Sequence, residues 1–311
     1  MISQSAKART ILVVGGTGHL GRKVIRAAVD KGYTVRALLR AGSSLPPALP
    51  PVDTVRADLL DRDSLRTACE GVDAIVTTAI GYSNRRKSDR GASIDRDGQF
   101  HLIDAARVAG VRRFVFTSVL TCDRAPEVPH FHDKWLVEQR LERSGLDWCA
   151  LRPGAFIDQS KDFWIDGLRR GRLDALGDPS VAWSYVHTDD LACFLVEAIG
   201  LSEQAPRRID VGCDRPVSAR EIALQIGRLL GRDVRVRAMP WVLASPMLTV
   251  LAIRDPWQAD FKRMFEYMLR GRYVADLSAQ RRWFGEPPPI EGALARYLNT
   301  RNLGRVEIHH G

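Results

Sequence analysis

Ile11-Leu12-Val13-Val14-Gly15-Gly16-Thr17-Gly18-His19-Leu20-Gly21-Arg22-Lys23-Val24 decides the fold. Four apolar residues run up to a glycine, as a short strand buried on both faces does. Leu20, Val24, Ala27 and Ala28 then recur at helical spacing, so the turn opens straight into a helix. Gly15, Gly18 and Gly21 spell GxxGxxG, while Gly16, Gly18 and Gly21 spell GxGxxG. Both spellings serve one purpose. One glycine turns the chain sharply, another admits a pyrophosphate to the backbone, and the last lets the helix pack close against the strand. An anion at this turn meets the N–H groups and the positive dipole end of the helix. Gly15, Thr17, Gly18, His19, Leu20 and Gly21 are therefore the expected dinucleotide cradle, with a plain structural turn as the competing explanation.

Beyond the first helix, Gly32 closes a turn and Tyr33 to Arg40 reads as the second strand. A protein selecting NAD places an acid at the end of this strand for the ribose hydroxyls, whereas a basic residue there accommodates the 2′-phosphate of NADP. No acid occurs between Asp30 and Asp53, and Arg40 stands in the acid's place. The expected cofactor is NADP(H), with Arg36, Ser43 and Ser44 able to assist, because a guanidinium fork matches phosphate geometry.

Thr54 to Leu59 reads as a third strand and Asp61 to Glu70 as a capped helix. Asp58 and Leu59 are expected to flank the adenine, or Asp58 is a helix cap. Asp73 to Ala79 is the fourth strand, whose end must reach the glycine turn in a doubly wound sheet, and Thr78 and Ala79 are small enough to stand beside a cofactor. Gly81 to Gly91, with Arg85, Arg86, Lys87 and Arg90, is expected to be a mobile basic loop. Ala92 to Gly110 reads as one amphipathic helix and Arg113 to Ser118 as the fifth strand. This alternation predicts an α/β fold, a Rossmann-type doubly wound parallel sheet with a smaller C-terminal lobe for substrate or partner. The predicted division is 1–155 and 156–311, with 182–212 returning to the Rossmann core.

A chain of 311 residues with 45% hydrophobic and 27% charged residues has the composition of an ordinary globular protein with a sizeable core. The net charge of +9 suits a phosphorylated ligand, but the arginines are spread along the chain and form no nucleic-acid-binding module. Cys69, Cys122, Cys149, Cys193 and Cys213 are odd in number and form no CxxC, which argues against a disulfide framework or a metal site and for a reducing, cytoplasmic compartment. The polar start, Met1 to Arg9, does not read as a signal peptide, and no apolar run reaches the ~20 residues of a membrane span.

The glycine turn, the strand Arg113 to Ser118, the stretch His130-Phe131-His132-Asp133-Lys134-Trp135 and Leu151-Arg152-Pro153-Gly154 together resemble an atypical short-chain dehydrogenase/reductase. The nearest branch is the NmrA-like and isoflavone-reductase-like group, and the photosystem-associated assembly factors are similar too. Val186-His187-Thr188-Asp189-Asp190 and Pro216 to Ile222 extend the likeness to about Pro240. In the wider family a serine ending the fifth strand and a Tyr-x-x-x-Lys on the next helix do the chemistry. Ser118 and Lys134 match the first and last of these, so the resemblance implies that Ser118 binds the substrate oxygen and Lys134 holds the nicotinamide ribose. The tyrosine position is His130, one helical turn before Lys134. Either His130 or His132 is the proton donor, or the site has lost its acid and only binds cofactor, or Pro129 and His130 merely begin the helix.

The resemblance also implies that Pro153 and Gly154 lie beside the nicotinamide and that the next residues line the pocket. Phe156, Phe163 and Trp164 make that pocket aromatic, or else pack in the core. Asp189 or Asp190 is expected to cap a helix. Met239 to Ile253 is apolar, contains Pro246 and is too short to span a bilayer; the expectation is that it covers a pocket or joins the core, with a membrane surface or a protein partner as the other readings. Arg254 to Arg272 is basic and aromatic, and the tail from Asn299 is expected to fray. Two functions stand: a reductase delivering hydride to an apolar, aromatic or conjugated carbonyl or alkene, and a non-catalytic NADP(H)-binding sensor or assembly factor docking through the C-terminal lobe.

Overall fold

The apolar run at Ile11 to Val14 forms the buried centre of a seven-stranded sheet. The computed structural model describes residues 9–81, 93–159, 164–253 and 255–304. The basic residues 85–90, Phe163 and the tail 305–311 lie outside them. In chain order the elements are β1 (Thr10–Val14), α1 (His19–Asp30), β2 (Thr34–Leu39), β3 (Asp53–Arg56), α2 (Arg62–Cys69), β4 (Ala74–Thr77), α3 (Gln99–Val108), β5 (Arg113–Thr117), α4 (Pro129–Glu142) and β6 (Asp147–Pro153). They continue with β7 (Ala155–Phe156), α5 (Ile165–Arg169), β8 (Arg172–Leu176), β9 (Ala182–Trp183), β10 (Tyr185–Val186), α6 (Thr188–Glu197), β11 (Arg208–Val211) and β12 (Val217–Ser218). The last are α7 (Ala219–Leu230), β13 (Arg235–Met239), α8 (Trp241–Ala252), α9 (Pro256–Met268), α10 (Ser278–Phe284) and α11 (Ile290–Thr300).

The sheet order is β11-β6-β5-β4-β1-β2-β3, and every pairing from β3 to β6 is parallel. The order reverses between β1 and β4, which makes the carboxyl end of β1 the topological switch point where open α/β sheets bind ligands. The glycine turn begins at that end.

The chain folds as two compact units. The first comprises Met1–Ser118, Asp133–Leu151 and Leu191–Ile209. In its core, Leu12, Val14, Ile75, Phe114 and Phe116 of the sheet meet Leu65, Leu102, Ile103, Val137 and Leu141 of α2, α3 and α4. Each such side chain contributes roughly 1.5–3 kcal/mol by leaving water. The second comprises Val119–His132, Arg152–Asp190 and Asp210–Gly311. Its core joins Ile157, Leu168, Leu173 and Tyr185 to Ile222 and Ile226 of α7 and Leu294 and Tyr297 of α11. Three two-stranded pairings, β7 with β10, β9 with β12 and β8 with β13, surround it. Ser218 and Glu221 close a capping box at the start of α7, so that helix stops and starts where its sequence directs.

Three sequence expectations change here. The helix expected over 92–110 is instead a π-helical turn, Ser93–Gly98, leading into α3; Asp95 of that turn is buried and accepts the Gly81 N–H at 2.9 Å. The third strand stops at Arg56, and the cap of α2 is Asp61, which accepts the N–H groups of Asp63 and Ser64. Asp189 and Asp190 do not cap α6 but lie inside its first turn; the Thr188 N–H and hydroxyl both donate to Asp158, at 2.9 and 2.6 Å. Helix α8 runs unbroken through Pro246, burying Ala244 and Leu248 and exposing Val242, Leu243, Met247, Val250 and Leu251.

Candidate cofactor and catalytic site

Gly15 adopts φ 90°, a left-handed conformation that a side chain would strain. A Cβ there would also stand 2.8 Å from the Ala79 nitrogen and the Thr78 hydroxyl. Thr78 and Ala79 thus lie against the turn, the Thr78 N–H donating to the Val14 carbonyl at 2.8 Å, as expected of the fourth strand. At Gly21 a Cβ would fall 2.1 Å from the Gly15 oxygen, so only a glycine lets α1 approach β1 this closely. Thr17 is exposed at the tip, and buried Leu20 anchors the helix. Gly18, the N-cap residue of α1, offers no side chain to cap the helix, and no acid stands in the first turn that His19 begins. An uncapped, acid-free helix start behind a glycine turn is what a pyrophosphate fits.

Arg40 is exposed immediately after β2. Its carbonyl accepts from Arg56 Nη1 at 2.8 Å, and the same guanidinium donates to the Ser43 carbonyl. Arg56, in register with Leu39, therefore holds the loop that presents Arg40. Sequence reasoning missed Arg56 because only the parallel pairing of β2 and β3 brings it there. Arg36 does not assist, since its guanidinium donates to the Ala68 and Glu70 carbonyls at the end of α2. Asp58 is exposed and accepts the Leu60 N–H at 2.9 Å, making a local turn. Leu59 packs its side chain in the core, and its exposed apolar neighbour is Leu60.

At the carboxyl end of β5 the first unit holds a buried polar cluster. Ser118 donates its hydroxyl proton to Glu138 Oε1 at 2.6 Å, and Arg208 Nε donates to Glu138 Oε2 at 2.8 Å. Arg208 also reaches Glu142 at 2.8 Å and lies over the rings of Trp135 and Trp148. Glu138 is fully buried, so its charge is held by this pairing. With its one proton given to Glu138, Ser118 faces other groups as an acceptor. Lys134 is buried, its ammonium 4.8 Å from the centre of the Phe116 ring. Thr77 and Gln99, 3.2 Å apart, add buried amide and hydroxyl groups at the end of β4. Glu138 is one turn after Lys134 on α4, a helical spacing that the sequence displays, but its partner Arg208 is not recoverable from spacing.

His130 lies on the first turn of α4, so Pro129 and His130 do begin the helix. Its Nδ1 is 2.8 Å from Asp260 of α9, a carboxylate 4% exposed. A carboxylate accepting at Nδ1 fixes the neutral imidazole with Nε2 as its acceptor, so Nε2 carries a proton only in the imidazolium. His132 is half-buried, its Nδ1 without a hydrogen-bond partner among the described residues. In the second unit Pro153 and Gly154 are buried. The Pro153 carbonyl accepts from Leu120 at 3.1 Å, and a Cβ on Gly154 would lie 2.4 Å from the Ser184 oxygen. Strand packing accounts for both residues. Trp164 lies 6.0 Å from Tyr185 and 5.9 Å from Tyr297, packed against the second core. Burial pushes the thiols of Cys69 and Cys149 up to about 12 and about 11, which keeps both as unreactive thiols at neutral pH.

Strand order, switch point and glycine cradle define a Rossmann-like α/β protein of dinucleotide-binding type. The chain belongs to the NmrA-like family, whose pattern matches residues 7–281. It is 28% identical over 95% of its length to the photosystem II assembly factor Ycf39 of Synechocystis sp., covering 91% of that protein. It is also 28% identical to the NAD(P)H azoreductase of Xenophilus azovorans, over 79% of this chain and 82% of that one. Among solved structures, the NADPH-dependent quinone oxidoreductase of Escherichia coli, complexed with NADPH, superposes with a TM-score of 0.73 at 18% identity, covering 93% of this chain and 100% of the other.

Proposed function

We propose that the protein binds NADP(H) and acts as a reductase on an apolar carbonyl or conjugated double bond. The observation that carries this reading is the cradle at the switch point: Gly15 and Gly21 leave no room for a Cβ, and the start of α1 is uncapped and acid-free. Arg40, braced by Arg56, supplies the cation for the 2′-phosphate. The NADPH complex of the structurally similar quinone oxidoreductase agrees with this choice. The dinucleotide-binding part spans 1–155 and the C-terminal lobe 156–311 takes the substrate or partner. That Leu191–Ile209 belongs with the sheet-bearing unit supports a return to the Rossmann core, while Val119–His132 departs from it.

When bound, NADPH supplies the hydride. Lys134 holds the ribose end and places a positive charge where negative charge develops on the reduced substrate. His130, held at Nδ1 by Asp260, gives a proton from Nε2 in its imidazolium form and is left as the neutral imidazole with its proton on Nδ1. Ser118 positions the substrate through the Glu138 network rather than donating to it. NADPH oxidation followed against quinones, enones and aromatic ketones tests this reading, and Lys134→Ala is expected to lose turnover while keeping the cofactor.

The similarity to an assembly factor over 95% of the chain, with the tyrosine position filled by a histidine already engaged by Asp260, favours a second reading. It is a non-catalytic NADP(H)-binding sensor or assembly factor. Tight NADPH binding with no turnover on any of those acceptors would select it. The free cysteines support a reducing compartment such as the cytoplasm.

A further inference from the structure

Helix α8 is built inside out. Its inner side carries Trp241, Ala244, Ser245, Leu248 and Ala252, of which Ala244 and Leu248 are buried, and Trp241 stacks on Phe265 of α9 with the rings 9° from parallel. Its outer side carries Val242, Leu243, Met247, Val250 and Leu251, with Ile253 just past the end, all 46–82% exposed. A surface helix ordinarily turns its large aliphatic residues inward and its polar ones out. At 100° per residue the outer residues cover an arc of about 180–200°. Pro246 and Thr249 lie within that arc, and the Thr249 hydroxyl donates back to the Ser245 carbonyl at 2.8 Å, so it presents no unpaired donor outward. From Met239 to Ile253 there is no charged residue.

We propose that α8 lies in the interface of an anionic lipid bilayer, its axis along the surface. A contiguous exposed apolar patch of this kind marks a protein or a membrane contact, and three observations favour the membrane. The arc holds aliphatic and methionine side chains with Pro246 and Thr249 and no Trp, Tyr or Arg, the residues in which protein hot spots are rich. The run Met239 to Ile253 carries no charged residue of the kind that rims a protein interface, and an acyl-chain boundary requires none. The approach to the helix is basic: strand alternation puts Arg235 and Arg237 on the same exposed side as Met239. Asp233 pairs with Arg235 at 3.3 Å, and Asp174, in register with Arg237 on β8, pairs with Arg172 at 3.0 Å, so three arginines face two acids there and one positive charge is left over. Twelve residues make a rod ~18 Å long, too short to cross, and no helix among the described residues is long and apolar enough to do so.

Co-sedimentation of the full chain with vesicles of phosphatidylcholine alone or with one-third phosphatidylglycerol tests the proposal, with NADPH binding followed in the same samples. The expected result is binding to the anionic vesicles at least tenfold stronger than to the neutral ones, reduced at least tenfold by the pair Leu243→Glu and Val250→Glu. Both residues are exposed, so those variants keep the fold and bind NADPH like the parent. Arg237→Glu is expected to reduce the preference for anionic vesicles. No binding to either vesicle, or equal binding by parent and double variant, overturns the proposal. So does a parent dimer, seen by sedimentation without lipid, that the double variant converts to monomer, since the face would then be covered by a second copy.

Discussion

Replacing Gly21 with alanine places a methyl carbon 2.1 Å from the Gly15 oxygen and 2.9 Å from the Gly16 Cα. Ordinary carbon–oxygen contact needs more than 3 Å, so α1 must slide away from the turn by about 1 Å or the turn must open. Both partners are backbone and neither can rotate aside. Overpacking of this kind costs about 1–3 kcal/mol, and the movement also misplaces the N–H groups that face the pyrophosphate. NADPH binding is expected to weaken about tenfold to a hundredfold, which is about 1.4–2.7 kcal/mol. The loop supplies its own control series. At Gly18 the added carbon lies 3.2 Å from the Gly15 oxygen, a contact relieved by a few tenths of an ångström, so Gly18→Ala is expected to have the smaller effect. Urea unfolding with and without cofactor, together with NADPH fluorescence titration, separates lost stability from lost binding. Gly21→Ala with unchanged stability and unchanged affinity would refute the close-packed turn, as would a larger loss from Gly18→Ala than from Gly21→Ala.

Two further outcomes follow from buried charge. Glu138→Ala leaves the Ser118 hydroxyl and Arg208 without their carboxylate; breaking a buried pair costs about 3–5 kcal/mol, reduced here because Arg208 is 30% exposed and keeps Glu142, so denaturant titration is expected to show a loss of about 2–4 kcal/mol. Burial raises the Asp210 carboxyl above its ordinary value, with the Asp276 N–H acting against that shift. The folded state therefore holds this proton more tightly than the unfolded chain, and the favourable contribution is complete below the unfolded carboxylate range and lost as pH rises through the folded value. Asp210→Asn is expected to stabilise the protein at neutral pH, with the gain vanishing in acid; thermal melts across pH read it directly, and a gain that grows in acid would reverse the sign.

The glycine turn, the alternating strands and the helix starts were legible because their signals are local: a four-residue apolar run, a capping residue, a change of period. What joins distant residues was not. Arg56 reaches Arg40 only through the pairing of β2 with β3, and Asp260 meets His130 from 130 positions away. Glu138 stood one turn from Lys134 in plain view, yet a charge on a helix reads as solvated until Ser118 and Arg208 close over it. Leu59 and Leu60 are adjacent and chemically identical, and only the turn made by Asp58 sends one to the core and the other to solvent. In α8 nearly every side chain is apolar, so hydropathy had no contrast with which to tell inside from outside. The Trp241 ring stacked on Phe265 marks the inner side, on which Ala244 and Leu248 are buried.

The central claim is that the carboxyl end of β1 holds NADP(H) and that Arg40 selects it. Parallel calorimetric titrations of the intact protein with NADPH and NADH test it most directly. The account predicts NADPH binding at least tenfold tighter than NADH, and an Arg40→Ala variant that binds the two alike with NADH affinity unchanged. Equal affinity in the parent protein, or a preference that survives Arg40→Ala, would contradict it.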